Sequence, residues 1–269
     1  MTPFNPVEAL TKLISIRSFS KEEEPARDFM ESVLTEYEID FTIDLNNIWA
    51  KNKHFDSSKY TILLNSHLDT VKPNKGYTKD PYYPQIEEGK LYGLGSNDAG
   101  GALVTLLGTF IHFYEEKGLP FNLVFAASAE EEISGKNGME FLFPRLPKID
   151  FAIVGEPTLL NIAIAEKGLM VLDCKSIGKA AHAARNEGVN AIYEAIKDIN
   201  WFSTYVFPKQ SEETGSVNMS VTLIKSGSQH NVIPSECDFV VDVRVNDKYS
   251  NNEVLNIIKS NVSCEVSAR

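Results

Sequence analysis

The sequence is poor in cysteine, in clusters of basic residues and in long apolar segments. Three cysteines occur among 269 residues. An odd, widely spaced set of this kind matches neither a disulfide framework nor the spacing of zinc ligands. Cys174, Cys237 and Cys264 each stand in a strand-like segment, so we expect them to be reduced core residues.

Acidic residues outnumber basic ones. The chain has 37 Asp and Glu against 26 Lys and Arg, a formal charge of -11, and no run rich in Lys and Arg. Nucleic acid and anionic membrane surfaces are therefore poor partners. No apolar segment approaches the ~20 residues that a membrane span requires, and residues 1–6 lack the basic start of a signal peptide. These absences predict a cytoplasmic protein that binds neither nucleic acid nor membrane.

Two domains are predicted from the length of the chain and from a change in its pattern. A chain of 269 residues exceeds most single cores, and its 43% of hydrophobic residues can fill two. Residues 1–167 mix strand-like apolar runs with helical periodicity, which is typical of an α/β domain. Residues 168–269 follow the order β-α-β-β-α-β of a ferredoxin-like α+β domain. We place the boundary near Gly168.

The N-terminal segment predicts two surface helices. Apolar residues recur with helical spacing in residues 6–17. Ser20 and the acids at 22–24 predict that a second helix begins at Ser20, because acidic side chains suit the N-terminal end of a helix dipole.

A histidine and an aspartate follow the first strongly apolar run. Residues 60–65 read as a buried strand, so His67 and Asp69 emerge together at its carboxyl end. Side chains two apart on a strand face the same way, and a carboxylate there can accept the second ring N–H of a metal-bound imidazole. His67 is therefore a candidate metal ligand that Asp69 orients. A hydrogen-bonded structural histidine is the alternative.

Three further segments carry acids toward the same edge of the predicted sheet. Asp98 lies in a glycine-rich loop before an apolar helix, where it is either a ligand or the helix N-cap. Three acids at 130–132 follow the predicted strand 121–128, and crowding them is costly unless a cation neutralises them; a solvated acidic turn is the alternative. Glu156 follows the predicted strand 151–154. Four segments therefore bring residues that can bind a metal to the same edge of the predicted sheet, which predicts a metal site.

In combination, these motifs resemble the dizinc amidohydrolase family of acetylornithine deacetylase, succinyl-diaminopimelate desuccinylase and the aminoacylases. The resemblance rests on six motifs: Ser-His-Leu-Asp, Gly-x-x-Asp, Ala-Glu-Glu-Glu, Gly-Glu-Pro-Thr, Gly-Lys-Ala-Ala-His at 178–182, and Asn-Val-Ile-Pro at 231–234. It implies a zinc-peptidase-like, three-layer α/β/α catalytic domain. It also implies an inserted ferredoxin-like domain that serves as a lid and joins two subunits into a homodimer.

The resemblance implies a role for each acid. His67 and Glu156 bind one metal each from opposite sides of the pair, Asp98 bridges the two ions, and Glu132 holds the other. Glu131 is the general base, and the Asp98-Ala99 peptide bond is cis. Imidazole and carboxylate ligands suit two Zn²⁺ ions, with Co²⁺ or Mn²⁺ as substitutes. Glu131, next to a ligand in sequence, can move a proton from water to the leaving amine.

The second domain carries three candidates. By the resemblance, His182 reaches the active site of the other subunit and stabilises an oxyanion; an ordinary exposed loop histidine is the alternative. Arg244, which the alternation of the strand places on the same face as Asp242, could bind a substrate carboxylate with two hydrogen bonds; a surface ion pair is the alternative. Asn231 belongs to a motif that the resemblance places at the substrate.

The predicted reaction is zinc-dependent hydrolysis of the amide bond of an N-acyl amino acid. N-acetylornithine, an intermediate of arginine biosynthesis, is the first candidate; a succinyl-diaminopimelate desuccinylase and a dipeptidase of the same fold are alternatives. The resemblance also implies a last metal-binding His in a segment that returns to the first domain. Because this chain ends at Arg269, we expect it to lack that ligand, bind at most one zinc and show negligible deacylase activity. A non-catalytic form is therefore a further alternative.

Overall fold

A computed structural model describes residues 3–185 and 187–269. It divides the chain into two compact units, the first ending at Asn161 and the second comprising Ile162–Arg269. None of the helices in these ranges combines the length and the apolar character needed to cross a bilayer.

The first unit is built on a five-stranded sheet. Its elements in chain order are α1 (Pro6–Ile14), α2 (Glu24–Glu36), β1 (Phe41–Asp44), β2 (Asn47–Lys51), β3 (Tyr60–His67), β4 (Gln85–Glu87), β5 (Lys90–Tyr92), α3 (Gly101–Phe113), β6 (Phe121–Ser128), α4 (Met139–Leu142) and β7 (Phe151–Val154). The order of strands in the sheet is β1-β2-β6-β3-β7. Strand β3 runs parallel to β6 and β7, whereas β2 is antiparallel to both β1 and β6.

Apolar side chains fill both faces of this sheet. On one face, Leu64 and Phe125 pack with helices α2 and α3. On the other face, Leu63 and Val124 pack with Leu142 of α4. Neighbouring residues of β3 and β6 therefore face opposite layers, as the alternation of side chains along a strand requires. The prediction of a three-layer α/β/α unit is confirmed.

Helix α2 begins at Glu24 and not at Ser20, so the sequence-based start was wrong. Lys21 adopts a left-handed backbone with φ +75°, which is incompatible with a helix. Two of the side chains before Glu24 point inward: the Ser20 hydroxyl donates to Asp69 at 2.7 Å, and the Glu23 carboxylate accepts the Glu130 amide at 3.0 Å. Tertiary hydrogen bonds here outweigh the local preference for a helix.

Apart from two short strands at 181–182 and 232–233, which were not predicted and pair with each other, the second unit has the predicted order of strands and helices. Its elements are β8 (Gly168–Ile177), β9 (Ala181–His182), α5 (Ala191–Thr204), β10 (Asn218–Ser226), β11 (Val232–Ile233), β12 (Glu236–Val245), α6 (Asn251–Asn261) and β13 (Glu265–Ala268). The antiparallel sheet has the order β10-β12-β8-β13 and packs one face against the two helices, which confirms the ferredoxin-like prediction.

All three cysteines belong to the second unit. They are free thiols: Cys174 and Cys237 are buried, and Cys264 is half-buried. Cys174 and Cys237 lie within the core between sheet and helices, and Cys264 packs against it. The prediction of unpaired core cysteines is confirmed.

Candidate metal centre

The carboxyl end of β3 is the centre of the candidate site. Because β3 lies between the parallel strands β6 and β7, the ends of all three strands meet at one edge. His67 is the last residue of β3 and pairs with Ser128, the last residue of β6. His67 and Asp69 are 2% and 1% exposed. The turn that follows β6 therefore begins beside His67.

The His67 ring is oriented by a main-chain group. Its Nδ1 donates to the Asp69 carbonyl oxygen at 2.8 Å, while the nearer Asp69 carboxylate oxygen lies 3.5 Å away. The predicted carboxylate bond to the ring is thus corrected to a carbonyl bond. The Asp69 carboxylate instead accepts the backbone N–H of Glu131 at 3.0 Å and of Glu132 at 3.1 Å, and the Ser20 hydroxyl at 2.7 Å. This arrangement leaves Nε2 of His67 facing the acids.

Carboxylates from three other segments surround Nε2. An Asp98 oxygen lies 3.2 Å from it, and oxygens of Glu131 and Glu156 each lie 3.9 Å from it. Two groups have ligand atoms within 4.8 Å of one another: His67 with Glu131 and Glu156, and His67 with Asp98 and Glu132. The structure therefore brings together all four predicted ligands and the predicted base.

Asp98 lies in a turn directly before α3, where its backbone and that of Ala99 are non-helical. Gly100 occupies the N-cap position of α3, and no side chain caps this helix. Asp98 is therefore not the N-cap, and its carboxylate is free to face His67. The Asp98-Ala99 peptide bond is cis, as expected from the resemblance.

Burial and crowding shift the pKa values of the site. Burial, followed by the charges of Glu131, Asp98 and Glu132, raises the pKa of Glu156 to about 7 despite the opposing effect of His67. Burial and then the charge of Asp98 raise the pKa of Glu132. Burial lowers the pKa of His67. The interaction with Asp69 and the negative charges of Glu156 and Glu131 outweigh this effect and raise the pKa to about 9. The cluster therefore favours an added positive charge.

A metal ion is a suitable source of that charge. Within residues 3–185 and 187–269, no Lys or Arg forms an ion pair with Asp98, Glu131, Glu132 or Glu156. Imidazole nitrogen and carboxylate oxygen are ligands of divalent zinc, cobalt and manganese. The donor set fits one or two such ions, because two groups of ligands share His67.

Adding zinc to protein stripped with a chelator is expected to raise its unfolding temperature. A ligand that binds only the folded state at 100 times its Kd adds about 2.7 kcal/mol of stability, and a metal also relieves repulsion among the acids. Differential scanning fluorimetry measures the shift. His67→Gln should abolish it, while the exposed control His54→Gln should retain it. An equal shift in both variants would place the zinc elsewhere.

The second unit places two of its candidates side by side. His182 in β9 pairs with Val232 in β11, next to Asn231, whose carbonyl accepts the Ala183 amide at 3.0 Å. His182 is exposed, and its Nδ1 accepts the Ala184 amide at 3.2 Å. These two candidates therefore share one small two-stranded sheet.

Arg244 lies on the larger sheet and is engaged by its neighbour. Its guanidinium donates two hydrogen bonds to the Asp242 carboxylate, at 2.9 and 3.1 Å. The surface ion pair that the sequence left as an alternative is the arrangement observed. A substrate carboxylate would have to displace or share this pair.

Comparisons with known proteins agree with this architecture. Residues 63–256 match peptidase family M20/M25/M40. The [LysW]-lysine/[LysW]-ornithine hydrolase of Sulfurisphaera tokodaii is 33% identical over 262 residues, covering 96% of this chain and 69% of that protein. Succinyl-diaminopimelate desuccinylase 2 of a Ruegeria species is 27% identical, with 93% and 68% covered. The acetylornithine deacetylase of Buchnera aphidicola is 28% identical, with 88% and 66% covered.

Solved structures show the same fold. An M20 family metallo-carboxypeptidase from Sulfolobus solfataricus superposes with a TM-score of 0.76 at 16% identity, covering 99% of this chain and 78% of that one. A dinuclear metal-binding M20 peptidase from Bacillus subtilis gives a TM-score of 0.64 at 14% identity, covering 98% and 72%. The match over residues 63–256 and the 33% identity with the Sulfurisphaera hydrolase therefore place the chain in peptidase family M20/M25/M40.

Proposed function

We propose that this protein hydrolyses the amide bond of an N-acyl amino acid at a two-metal site. The expectation of at most one zinc and negligible activity is the alternative to this proposal, and the two groups of possible ligand atoms around His67 favour the two-metal site. The observation that carries the proposal is the convergence of five side chains at the end of β3: one imidazole, with four carboxylates that no Lys or Arg of the described chain neutralises. His67, Asp98, Glu132 and Glu156 would hold two zinc ions, for which Co²⁺ or Mn²⁺ could substitute.

Glu131 is proposed as the general base. Its side chain is 53% exposed, so it can reach water and substrate, whereas its backbone is fixed by Asp69. Divalent ions held at the site would polarise the amide carbonyl and lower the pKa of water. Glu131 takes one proton from the attacking water and delivers it to the leaving nitrogen as the C–N bond breaks. The products are a carboxylic acid and a free amine.

N-acetylornithine is the substrate that we propose first, which would place the protein in arginine biosynthesis. The names of three relatives support an N-acylated diamino acid, because they specify lysine or ornithine, diaminopimelate and ornithine. The free thiols agree with a reducing cytoplasm. An amide-linked lysine is the second candidate, favoured by the 33% identity with the Sulfurisphaera hydrolase.

A substrate panel tests this proposal. Amine release by zinc- or cobalt-loaded protein should be measured with N-acetylornithine, N-acetyllysine, N-succinyl-diaminopimelate and a dipeptide. N-acetylnorvaline serves as the matched control, since it keeps the carbon chain of ornithine and lacks the terminal amine. We expect kcat/KM to be highest for the acylated diamino acids. Absence of release from every compound would contradict the proposed reaction.

We also propose that the second unit joins two copies of the chain. Strand β10 is an edge strand with β12 as its neighbour in the sheet, and such edges pair readily with another strand. Leu223 and Ile224 on β10, and Tyr193 and Ile196 on α5, are each more than half exposed. Exposed apolar side chains along an edge favour association. In such a dimer, His182 would serve the site of the other copy.

Replacing an apolar residue on this edge by a charged one is expected to dissociate the dimer. Ile224→Lys places a cation between the two edges, so its dimer dissociation constant should rise at least about 10-fold, a cost near 1.4 kcal/mol. Ile177→Lys is the matched control, because Ile177 is similarly exposed but lies on the internal strand β8. Sedimentation velocity measures both. A monomeric unsubstituted protein, or equal weakening by both variants, would refute this interface.

A further inference from the structure

The turn that carries Glu131 and Glu132 is held by its backbone amides. Each of four successive amides, from residue 129 to residue 132, donates to a side-chain oxygen of a buried residue. The acceptors are Asn47 at 2.9 Å, Glu23 at 3.0 Å, and the two oxygens of Asp69 at 3.0 and 3.1 Å. The acceptors come from three separate segments, so tertiary structure sets the conformation of the turn.

Glu23 is the unexpected member of this group. Its exposure is 0%, and its carboxylate accepts the Lys21 amide at 2.7 Å, the Asn46 side-chain amide at 2.7 Å and the Glu130 amide. No Lys or Arg in the part of the chain that the structure describes forms an ion pair with it. A buried carboxylate is costly without such a partner. Its three N–H donors offset that cost, and a charged acceptor binds each of them more strongly than a neutral one.

The amide that Glu23 accepts belongs to a constrained residue. Glu130 has a left-handed backbone, with φ +55°, and is 5% exposed. Its own carboxylate accepts the Asn137 side-chain amide at 2.8 Å, and a Cβ at Gly135 would lie 2.0 Å from it. A non-glycine residue keeps such a backbone only where its surroundings enforce it. Glu23 supplies the hydrogen bond at this residue, directly before Glu131.

We propose that Glu23 is a positioning residue for the hydrolytic site. By accepting the Glu130 amide, Glu23 fixes the backbone of the residue that precedes Glu131 and Glu132. The side chains of both residues can then point toward His67. Asp69 holds the amides of those two residues, and Glu23 holds the one before them. This inference rests on the proposed function for its effect on catalysis, but its effect on the turn is independent of that function.

The test compares three variants of the full chain. Glu23→Ala removes all the acceptors, whereas Glu23→Gln keeps a neutral oxygen at the same place. Asp198→Ala is the matched control: Asp198 is also buried and accepts two backbone amides, of Ser263 and Cys264, but it lies in the second unit. The readouts are hydrogen exchange of the amides at 129–132, affinity for Co²⁺ followed by its absorption spectrum, and kcat and KM.

In Glu23→Ala, we expect exchange at 129–132 to accelerate at least about 10-fold and Co²⁺ affinity to fall about 10- to 100-fold, the usual effect of removing a group that orients a ligand. By the same principle kcat should fall about 10- to 100-fold, with KM changed less than about 3-fold. Glu23→Gln should lie between this variant and the unsubstituted protein. Asp198→Ala should lower the unfolding temperature and leave exchange at 129–132 and Co²⁺ affinity unchanged.

Unchanged exchange and Co²⁺ affinity in Glu23→Ala would overturn the inference. If that variant does not fold, Glu23→Gln decides: exchange at Glu130 as slow as in the unsubstituted protein, together with unchanged Co²⁺ affinity, would also overturn it. If the unsubstituted protein binds no Co²⁺ and releases no amine, the proposed function fails. The exchange measurement still decides whether Glu23 holds the turn.

Discussion

Replacing Glu131 by glutamine is expected to lower kcat by about 10²- to 10⁴-fold, the usual contribution of a general base, while the metal stays bound. The substitution keeps the size of the side chain and removes its ability to take up a proton. The backbone position should persist, because the Asp69 carboxylate holds the amide of residue 131 and not its side chain. Activity and metal content, measured on the same sample by mass spectrometry, check both statements.

Glu132→Gln is the matched comparison, since it makes the same chemical change one residue further along the same turn. Here we expect metal content to fall together with activity, because Glu132 is the residue that we propose as the ligand; Glu131 and Glu132 each belong to one of the two groups of possible ligand atoms. Both Glu131 and Glu132 lie near His67, so only this contrast separates base from ligand. Metal loss in Glu131→Gln and retention in Glu132→Gln would exchange the two assignments.

Replacing Asp69 by alanine is expected to have the largest effect on stability within the site. The variant removes a buried carboxylate that accepts the part-buried amides of Glu131 and Glu132 and the Ser20 hydroxyl. A hydrogen bond to a charged group contributes about 1.5 to 3 kcal/mol, so losing the bonds to the two amides predicts a decrease of about 3 to 6 kcal/mol in the free energy of unfolding. Metal affinity should fall as well, because the turn loses its anchor.

Asp150→Ala is the control for this prediction. Asp150 also accepts a backbone amide, that of Thr61 at 2.9 Å, but at the opposite end of β3. Denaturant unfolding and metal titration of both variants give the comparison. Asp150→Ala should leave metal affinity unchanged. A similar decrease in metal affinity in both variants would show that Asp69 affects the site only through global stability.

The parts predicted from the sequence are those determined by local pattern. The apolar runs 121–128 and 151–154 are observed as β6 and β7 with the predicted bounds. Strand β6 is buried almost throughout, as a continuous apolar segment predicts. Strand β7 is exposed along its whole length, so the burial expected from its apolar run was wrong. His67, Asp98 and the acids at 130–132 were singled out because each follows a predicted strand or begins a helix. Parallel topology then brings such positions to one edge.

The parts that the sequence did not reveal depend on tertiary contacts. Glu23 reads as one of three acids at a helix start, yet it is buried and accepts an amide from a residue more than one hundred positions away. Asn47 reads as an ordinary strand residue, yet it accepts the Ala129 amide. The sequence analysis assigned the Asp69 carboxylate as the partner of the His67 ring. A sequence cannot show that this carboxylate instead accepts two backbone amides, those of Glu131 and Glu132.

Locating bound zinc by anomalous scattering from crystals of the zinc-loaded protein tests the central claim most directly. We predict a peak within about 2.0 to 2.2 Å of Nε2 of His67 and of an Asp98 oxygen, the usual lengths of zinc bonds to imidazole and carboxylate. Glu156 or Glu132 should complete the contacts. Zinc found only at other side chains, such as His182 or His230, with none beside His67, would contradict the assignment of a metal centre to the end of β3.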